Sequence, residues 1–335
     1  MPYLQDFRSL LAGIDLHWFI IISFTTGIII NRYIVWSRLR HIPGPRFASF
    51  SKVWMLRAAL SGRIPEVLND VCETYGPNDL ICSDPDVIRR MSTAKLGYRR
   101  SKFYSSFAFN PDRDTMLSTT DEEIHTHLKT KTAAGVSFYF QIPTTRIAGT
   151  DTTATATRAM LLHITTSPTC YTAFQAAIDE GVKNGKISSP ITDAEAKELP
   201  YLQAVIKEGL RMFPVIAGLL PKTVPEGGDI ISGFEVPGGT DISLCLIAIT
   251  HSKATFGPDA DIFRPERWLE VDDNDKLREM NITADLVFGS GKWSCSGKKI
   301  AMMEMSKVLV EEIRYFLGKP HQAMEIIQCW SIHTI

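Results

Sequence analysis

The most apolar stretch of the chain lies near its amino terminus, over residues 16–36, and carries no charged side chain before Arg32. A helix needs about 20 mainly apolar residues to cross the hydrocarbon core of a bilayer, and this stretch is long enough. Trp18 and Trp36 suit the two membrane interfaces, where indole rings accumulate. The pattern therefore predicts a single transmembrane helix over residues 16–36, preceded by a lumenal tail of residues 1–15.

The segment after this helix is basic and contains prolines. Residues 37–60 hold arginines and a lysine but no acidic residue, and such a bias favours the cytoplasmic side of a membrane. Pro43 and Pro45 fix the backbone and remove donors, so residues 37–60 are predicted to form a stiff hinge. A cleaved signal peptide is the alternative. Because a basic first region and a small-residue cleavage motif are both missing, an uncleaved anchor is favoured.

Beyond the hinge, apolar residues mostly recur at the three- and four-residue spacing of amphipathic helices. Glycine and proline interrupt this spacing over residues 221–246, where short β-branched runs predict small strands and turns. Helices are predicted over residues 64–75, 87–91, 121–135, 147–177 with a break near Ser167, 199–213 and 298–316. The predicted fold is mainly α with small β-sheets, preceded by the single N-terminal transmembrane helix.

Composition and charge narrow the class of protein. A hydrophobic content of 44% and a charged content of 22% are typical of a globular protein with a sizeable core. The formal net charge of -1 argues against nucleic acid as a partner. The six cysteines are scattered without a C-x-x-C pair, which argues against a zinc site and against a disulfide framework. An individual cysteine could therefore have a role other than binding zinc or forming a disulfide.

Cys295 lies in a glycine-rich loop directly before the last predicted helix. A thiolate that binds a metal needs a loop that leaves the sulfur exposed on one side, and Gly289, Gly291 and Gly297 permit such a backbone. The following helix would point its positive end towards the sulfur. The alternative is a buried structural cysteine in a glycine-rich turn, which is a common environment for a single cysteine.

Two further motifs lie within predicted helices. Glu208 and Arg211 are three residues apart and share a helix face, although solvated ion pairs of this kind are common. Residues 148–153 read Ala-Gly-Thr-Asp-Thr-Thr, and glycine, aspartate and threonine all disfavour a helix interior. Such local conflicts often mark functional sites. The alternative for this second motif is a threonine-rich loop.

These motifs occur together in an order typical of the cytochrome P-450 family. Phe288, Gly291, Cys295 and Gly297 match the pattern F-x-x-G-x-R-x-C-x-G, and Trp293 stands in place of the arginine. The stretches IAGTDTTATATRAM, KEGLRMFP, VPGGT and FRPERWLE are also similar to this family. The chain therefore resembles haem-thiolate monooxygenases, and most of all fungal, pisatin-demethylase-like members.

The resemblance implies that Cys295 is the iron ligand of haem b. An anionic sulfur donates electron density to iron and favours cleavage of the O–O bond. Since the arginine replaced by Trp293 usually pairs with a haem propionate, Lys292 is a candidate for that contact. Weaker candidates, each expected on the solvated surface if taken alone, are His125, Lys129 and Lys222.

The resemblance also implies roles for the helix motif. Ala148 and Gly149 would leave room for dioxygen on the distal side of the haem, and Asp151 with Thr152 would relay protons. A structural polar lock, which shapes the proximal haem pocket and takes no part in the reaction, would be formed by Glu208, Arg211 and Arg267.

The implied reaction is insertion of one oxygen atom from O₂ into an apolar small molecule, in fungal secondary metabolism or detoxification. Electrons would come from an NADPH-dependent flavoprotein reductase. The expected location is the endoplasmic reticulum membrane, with one membrane pass, the catalytic domain in the cytoplasm and no nucleic-acid partner.

The likeness to the family is incomplete. Residues 136–146 alone stand where relatives place several helices that form the substrate lid, and they provide room for a loop or two helical turns. The expected haem-thiolate domain of residues 61–317 is thus internally shortened, and residues 318–335 form an atypical tail. A truncated, catalytically inactive membrane-anchored paralogue or mis-spliced product is therefore the alternative. A haem-thiolate isomerase or dehydratase is a third hypothesis, disfavoured by Asp151 and Thr152.

Overall fold

The computed structural model describes residues 16–42, 53, 57, 60–61, 67, 75–76, 79–108, 114–133, 138–216 and 220–315. The tails predicted for residues 1–15 and 318–335, and Pro43 with Pro45, lie outside the described residues. The same holds for most of the helix predicted over residues 64–75.

The described part of the chain is mainly helical. Its α-helices are α1 Leu16–Leu39, α2 Pro85–Met91, α3 Glu122–Ala133, α4 Phe138–Thr166, α5 Pro168–Lys183, α6 Asp193–Lys197, α7 Pro200–Met212, α8 Leu246–Thr250, α9 Lys253–Phe256, α10 Asn274–Ala284 and α11 Lys298–Tyr315. Its strands are β1 Tyr75–Gly76, β2 Asp79–Cys82, β3 Arg99–Arg100, β4 Lys222–Thr223, β5 Asp229–Ile231, β6 Phe234–Val236 and β7 Asp241–Leu244. The prediction of a mainly α fold with small β-sheets is confirmed.

Helix α1 is long and apolar enough to cross a membrane, with a mean hydropathy of 1.6 over a window that contains no buried residue. It ends at Leu39, beyond the predicted end at Trp36. Leu39 and Ile42 are buried in one core together with the β5–β6 hairpin. Arg38 Nη2 also donates to Gly238 O at 2.6 Å. Helix α1 thus continues into the segment predicted as a hinge, and Leu39 and Ile42 pack against the folded domain.

The strands form two small sheets. Five of them are arranged in the order β1-β2-β7-β4-β3, with β2 and β7 parallel and the other pairs antiparallel. The hairpin β5–β6 forms the second sheet. Its turn places Ser232 at φ 49° and Gly233 at φ 84°, the left-handed conformation that two-residue hairpin turns require. Strands β4 to β7 lie within residues 221–246, the region predicted to contain strands, and β1, β2 and β3 come from residues 75–100.

Helices α4, α7 and α11 form the helical core. The buried side chains of α7 recur at helical spacing, and Val205 packs in one cluster with Met160 of α4 and Leu309 of α11. Pro200 begins α7 at a position where the missing N–H is not needed. A Cβ on Gly209 would lie 2.3 Å from Met160 Cγ, so this glycine allows α7 to approach α4 closely.

The interval between α3 and α4 is short. Helix α3 ends at Ala133 and α4 begins at Phe138, so four residues separate them. Residues 136–146 were predicted to form either a loop or two helical turns, and helix is observed from residue 138 onwards. The helix predicted over residues 147–177 is interrupted at Ser167 as expected, because Pro168 disfavours a helical conformation of the residue before it.

Candidate functional site

Cys295 lies in the loop between the 3₁₀ turn Gly291–Trp293 and helix α11. Its backbone N–H donates to Phe288 O at 2.6 Å, which closes the loop. Among the cysteines that the structure describes, Cys295 is exposed, whereas Cys82, Cys170 and Cys245 are buried. Helix α11 begins three residues later, so the positive end of its dipole lies close to the sulfur. The alternative of a buried structural cysteine is therefore wrong.

Two glycines determine the shape of this loop. Gly289 and Gly291 have φ values of 71° and 53°, a conformation that other residues rarely adopt. A Cβ on Gly291 would also lie 2.3 Å from Ser92 O. A Cβ on Gly297 would lie 3.8 Å from Cys295 Sγ, which is an ordinary contact. Gly289 and Gly291 thus adopt the left-handed conformation that glycine permits, whereas Gly297 is not among the glycines with a positive φ.

Trp293, which stands where the family pattern has arginine, binds the start of helix α3. Its Nε1 donates to Glu122 Oε2 at 3.0 Å. Lys292 Nζ donates to Tyr98 O at 2.8 Å and lies 3.5 Å from Glu122 Oε2. Both side chains thus have partners within the protein. This arrangement does not support Lys292 as the replacement for the missing arginine.

Two residues of α3 that were expected on the solvated surface lie elsewhere. Lys129 Nζ donates to Ser294 O at 2.8 Å and to Lys292 O at 3.0 Å, so it joins α3 to the cysteine loop. His125, one turn earlier on the same face, is 6% exposed. Its Nδ1 has no hydrogen-bond partner among the described residues. A buried nitrogen of this kind is destabilising unless a ligand satisfies it.

Lys222 is also buried, contrary to expectation, and is 5% exposed. Its Nζ donates to Leu220 O at 2.9 Å and to the hydroxyl of Tyr104. Burial, together with the nearby charge of Arg100, lowers the pKa of Lys222 to about 7. Arg100 is buried as well, and its guanidinium donates to Met116 O at 2.8 Å. Two buried cations therefore lie beside the cysteine loop.

The small-residue motif lies within helix α4, so the alternative of a threonine-rich loop is wrong. Ala148, Gly149 and Asp151 are exposed. Among the residues that the structure describes, no atom lies within 4 Å of a Cβ placed on Gly149. The hydroxyl of Thr152 donates to Ala148 O at 2.6 Å, a local bond that often bends a helix. This part of α4 thus presents small and polar side chains to open space.

The structure brings Glu208, Arg211 and Arg267 together in the protein interior. Arg211 Nε and Nη2 donate to the two oxygens of Glu208 at 2.9 and 2.7 Å. Arg267 Nε donates to Glu208 Oε1 at 2.9 Å. All three residues are at most 2% exposed. The resulting cluster ties helix α7 to the 3₁₀ turn Pro265–Trp268, which precedes the cysteine loop in the chain.

The remaining donors of this lock are also satisfied. Trp268 Nε1 donates to Glu208 Oε2 at 3.0 Å. Arg211 Nη1 donates to Ala260 O at 2.6 Å, and Arg267 Nη1 donates to Phe256 O at 2.7 Å. Burial raises the pKa of Glu208, but the hydrogen bond and charge of Arg211 outweigh it and hold that pKa below its ordinary value. Glu208 is therefore the ionised centre of the lock.

A family model for cytochrome P450 matches residues 109–334, well over half of the chain, including both the cysteine loop and the lock. The chain belongs to the cytochrome P450 family. The resemblance stated from the motifs is thereby confirmed. The match also includes most of the tail of residues 318–335, for which the sequence analysis expected no family character.

Relatives in this family are fungal. Cytochrome P450 monooxygenase ABA1 of Pyricularia oryzae is 28% identical over 468 aligned residues, which cover 90% of this chain and 91% of that protein. Pisatin demethylase of Fusarium vanettenii is 42% identical over 169 residues, which cover 50% of this chain and 31% of that protein. The P450 monooxygenase abl1 of Leptosphaeria maculans is 45% identical over 166 residues, covering 50% of this chain and 29% of that protein. With these last two relatives, the aligned part is about a third of their length.

The alignment with ABA1 spans more positions than the 335 residues of this P450, so ABA1 contains long segments without a counterpart here. Such segments agree with a shortened chain. Their position within the domain stays a prediction, which the short interval between α3 and α4 supports.

Membership of the P450 family implies a haem iron with a thiolate ligand, dioxygen and electrons from a redox partner. The described residues fit this group. Cys295 supplies an exposed thiol, and His125 has a buried nitrogen without a partner. The buried side chains of Lys222 and Arg100 supply positive charge suited to carboxylates.

Sequence reasoning missed several residues of the site. Arg100, Tyr104 and Glu122 meet Lys222 and Trp293 across sequence separations of 118 to 171 residues, and no local pattern marks them. In the lock, Trp268 and Asp259 were missed as partners of Glu208 and Arg267. The position of Trp268 directly after Arg267 was the available signal for the first of these two.

Proposed function

We propose that this P450 is a membrane-anchored haem-thiolate monooxygenase that inserts one oxygen atom from O₂ into an apolar small molecule. The observation that carries the proposal is the exposed thiol of Cys295, held in a tight loop beside buried cations and before the start of α11. Fungal secondary metabolism or detoxification is the proposed setting, because the named relatives include a pisatin demethylase.

Haem b is the proposed cofactor, with Cys295 as its iron ligand. When bound, the haem would supply the iron that activates dioxygen with the transferred electrons. Phe288 and Gly291 shape the loop that presents the thiol, and Lys129 joins this loop to α3. His125 and Lys222 would face the haem carboxylates.

Helix α4 would form the distal side of the site. Ala148 and Gly149 leave room there for a small ligand. Asp151 is exposed and can exchange protons with solvent, while the Thr152 hydroxyl can pass a proton onwards from the position fixed by its bond to Ala148 O. These two side chains would deliver protons and take no part in binding iron.

Electrons would come from an NADPH-dependent flavoprotein reductase that docks on the face behind the cysteine loop. A depression of about 260 Å³ lies there, lined by residues that include Arg89, Ser290 and Lys298. The cations of this face are partly compensated, since Lys298 Nζ lies 2.8 Å from Asp285 Oδ1. Shape and a moderate positive charge would therefore both contribute to docking.

Helix α1 is the proposed membrane anchor. The side chains from Trp18 to Ile34 are exposed, which is unfavourable in water and favourable in lipid. We place the domain on the cytoplasmic side of the endoplasmic reticulum membrane, because basic residues follow the helix.

The second candidate function is a catalytically inactive paralogue. It is favoured by the four-residue interval between α3 and α4, which leaves no space for lid helices. An isomerase or dehydratase remains a hypothesis without a supporting observation.

We expect that oxygen reduction by this chain is poorly coupled to product formation. The distal residues of α4 are exposed, and water in an active site weakens the electrostatic control that the reaction needs. Co-expressed with a reductase and given a panel of apolar aromatic compounds, the protein should convert a minor fraction of the NADPH it consumes into hydroxylated product. Most of the electrons should be recovered as hydrogen peroxide.

The Cys295→Ala variant provides the background rate of NADPH oxidation in the same membranes. A wild-type rate equal to this background would favour the inactive paralogue. Near-equal amounts of NADPH consumed and product formed would show instead that the compact chain is a complete, closed enzyme.

A further inference from the structure

The end of the membrane helix α1 and the cysteine loop belong to the same hydrophobic core. Leu39 is 1% exposed and lies in one cluster with Leu286, and Trp293 of the loop packs against this cluster. Leu286 lies in the 3₁₀ turn that ends at Phe288, whose carbonyl accepts the backbone N–H of Cys295. One core therefore joins the last turn of α1 to the turn that closes the loop.

The hairpin β5–β6 depends on its neighbours for its position. Among the described strands it forms a sheet of its own, and an isolated two-stranded hairpin is at best marginally stable in water. The end of α1 lies beside it. Arg38 Nη2 donates to Gly238 O at 2.6 Å, directly after the hairpin. His41 Nε2 lies 2.7 Å from Glu235 O of β6, and Leu39 shares a core cluster with both strands. The last turn of α1 thus holds the hairpin in place.

The hairpin in turn binds Tyr98, which contacts the cysteine loop. Tyr98 is 1% exposed, and its hydroxyl donates to Asp229 Oδ2 of β5 at 2.5 Å. Arg90 Nη2 lies 3.0 Å from the same carboxylate oxygen. The carbonyl of Tyr98 accepts from Lys292 Nζ at 2.8 Å, three residues before Cys295. A continuous series of contacts therefore runs from α1 through the hairpin and Tyr98 to the loop.

We infer that the last turn of α1 is a positioning element for Cys295: it holds the β5–β6 hairpin and, through the hairpin and Tyr98, keeps the cysteine loop closed. The helix that anchors the protein is in this sense also part of the scaffold of the site. The consequence for haem rests on the haem site proposed above, whereas closure of the loop requires only contacts within the protein.

Opening of the loop would break hydrogen bonds that amide exchange can follow. The backbone N–H groups of Lys292, Trp293, Ser294 and Cys295 all donate to backbone carbonyls. Such amides exchange through local opening, which needs less free energy than global unfolding. The Leu39→Ala variant removes a fully buried side chain from the shared core, so these amides should exchange about tenfold faster than in wild type.

The test is hydrogen–deuterium exchange of the purified full-length protein in detergent, followed by mass spectrometry over residues 289–296. Ile178→Ala is the matched control, because it empties a fully buried position in the separate core of α4, α5, α7 and α11. This control should lower the global stability by a similar amount, yet exchange in the loop should stay within about twofold of wild type. A milder variant, Tyr98→Phe, keeps the ring and loses the bond to Asp229, and it should accelerate exchange in the loop by a smaller factor than Leu39→Ala.

The haem spectrum provides a second measurement on the same proteins. In Leu39→Ala, a larger share of the reduced carbon-monoxide complex should lack the thiolate band, whereas Ile178→Ala should keep the wild-type share. Wild-type exchange in the loop of both Leu39→Ala and Tyr98→Phe would overturn the inference, as would equal acceleration in Leu39→Ala and Ile178→Ala. If Leu39→Ala does not fold, Tyr98→Phe decides alone. A wild-type protein without a haem spectrum would overturn the haem site, and exchange in the loop would still decide the role of α1.

Discussion

In the Cys295→Ala variant, the reduced protein treated with carbon monoxide is expected to lose the Soret band of thiolate-ligated haem completely. Cys295 is the described cysteine with an exposed thiol, whereas Cys82, Cys170 and Cys245 are buried. Loss of the anionic ligand also removes the electron density that favours O–O cleavage. Monooxygenase activity should therefore disappear together with the band, and the measurement is a carbon-monoxide difference spectrum.

The matched control is Cys245→Ala. Cys245 is fully buried at the start of α8, and replacing its small side chain should leave the haem spectrum unchanged. If Cys295→Ala retains the thiolate band, another cysteine ligates the iron and the assignment of the site is wrong.

Replacing Arg211 with alanine should remove a large part of the stability of the domain. The substitution leaves the Glu208 carboxylate buried and deprives it of two hydrogen bonds. Breaking a buried ion pair on one side costs about 3–5 kcal/mol. A domain of this kind has about 5–15 kcal/mol in total, so the variant should be largely aggregated and free of haem. Chemical unfolding and the haem content of the purified protein measure the effect.

Lys253→Ala serves as the comparison for this variant. Lys253 Nζ lies 3.4 Å from Asp261 Oδ2 at the surface, where both side chains are more than half exposed. Such pairs contribute about 0–1 kcal/mol, so little change is expected. Normal haem content and wild-type stability in Arg211→Ala would show that the lock does not hold the fold together.

The helices were predictable because their information is local. The buried positions of α7 recur at helical spacing, and Pro200 and Pro214 lie at its two ends. Glu208 and Arg211 lie three residues apart on that helix, but Arg267 was expected beside them only because of the resemblance to the family. Glu122 and Trp293 were not predictable as partners, since the contact depends on how α3 packs against a distant loop.

Burial of the lysines was mispredicted for a related reason. Lysine is mostly found at the protein surface, yet β4 places Lys222 between the rings of Tyr104 and Trp293. Strand pairing between Lys222 and Arg100 brings a second cation alongside, and a two-residue strand leaves almost no pattern to detect. The helical pattern of the sequence therefore did not predict that Lys222 and Arg100 are buried side by side.

The joint between α1 and the β5–β6 hairpin has a practical consequence for preparing a soluble protein. A truncation at Pro43 would remove Leu39 and Ile42, which are 1% and 8% exposed in the same core as Val236. Removal of a large buried apolar side chain typically lowers the free energy of unfolding by about 2–5 kcal/mol. The cut should therefore fall before Arg38, so that the last turn of the membrane helix stays with the domain. A cut at Pro43 and a cut before Arg38 differ by the five residues 38–42, and these residues decide whether the core is complete.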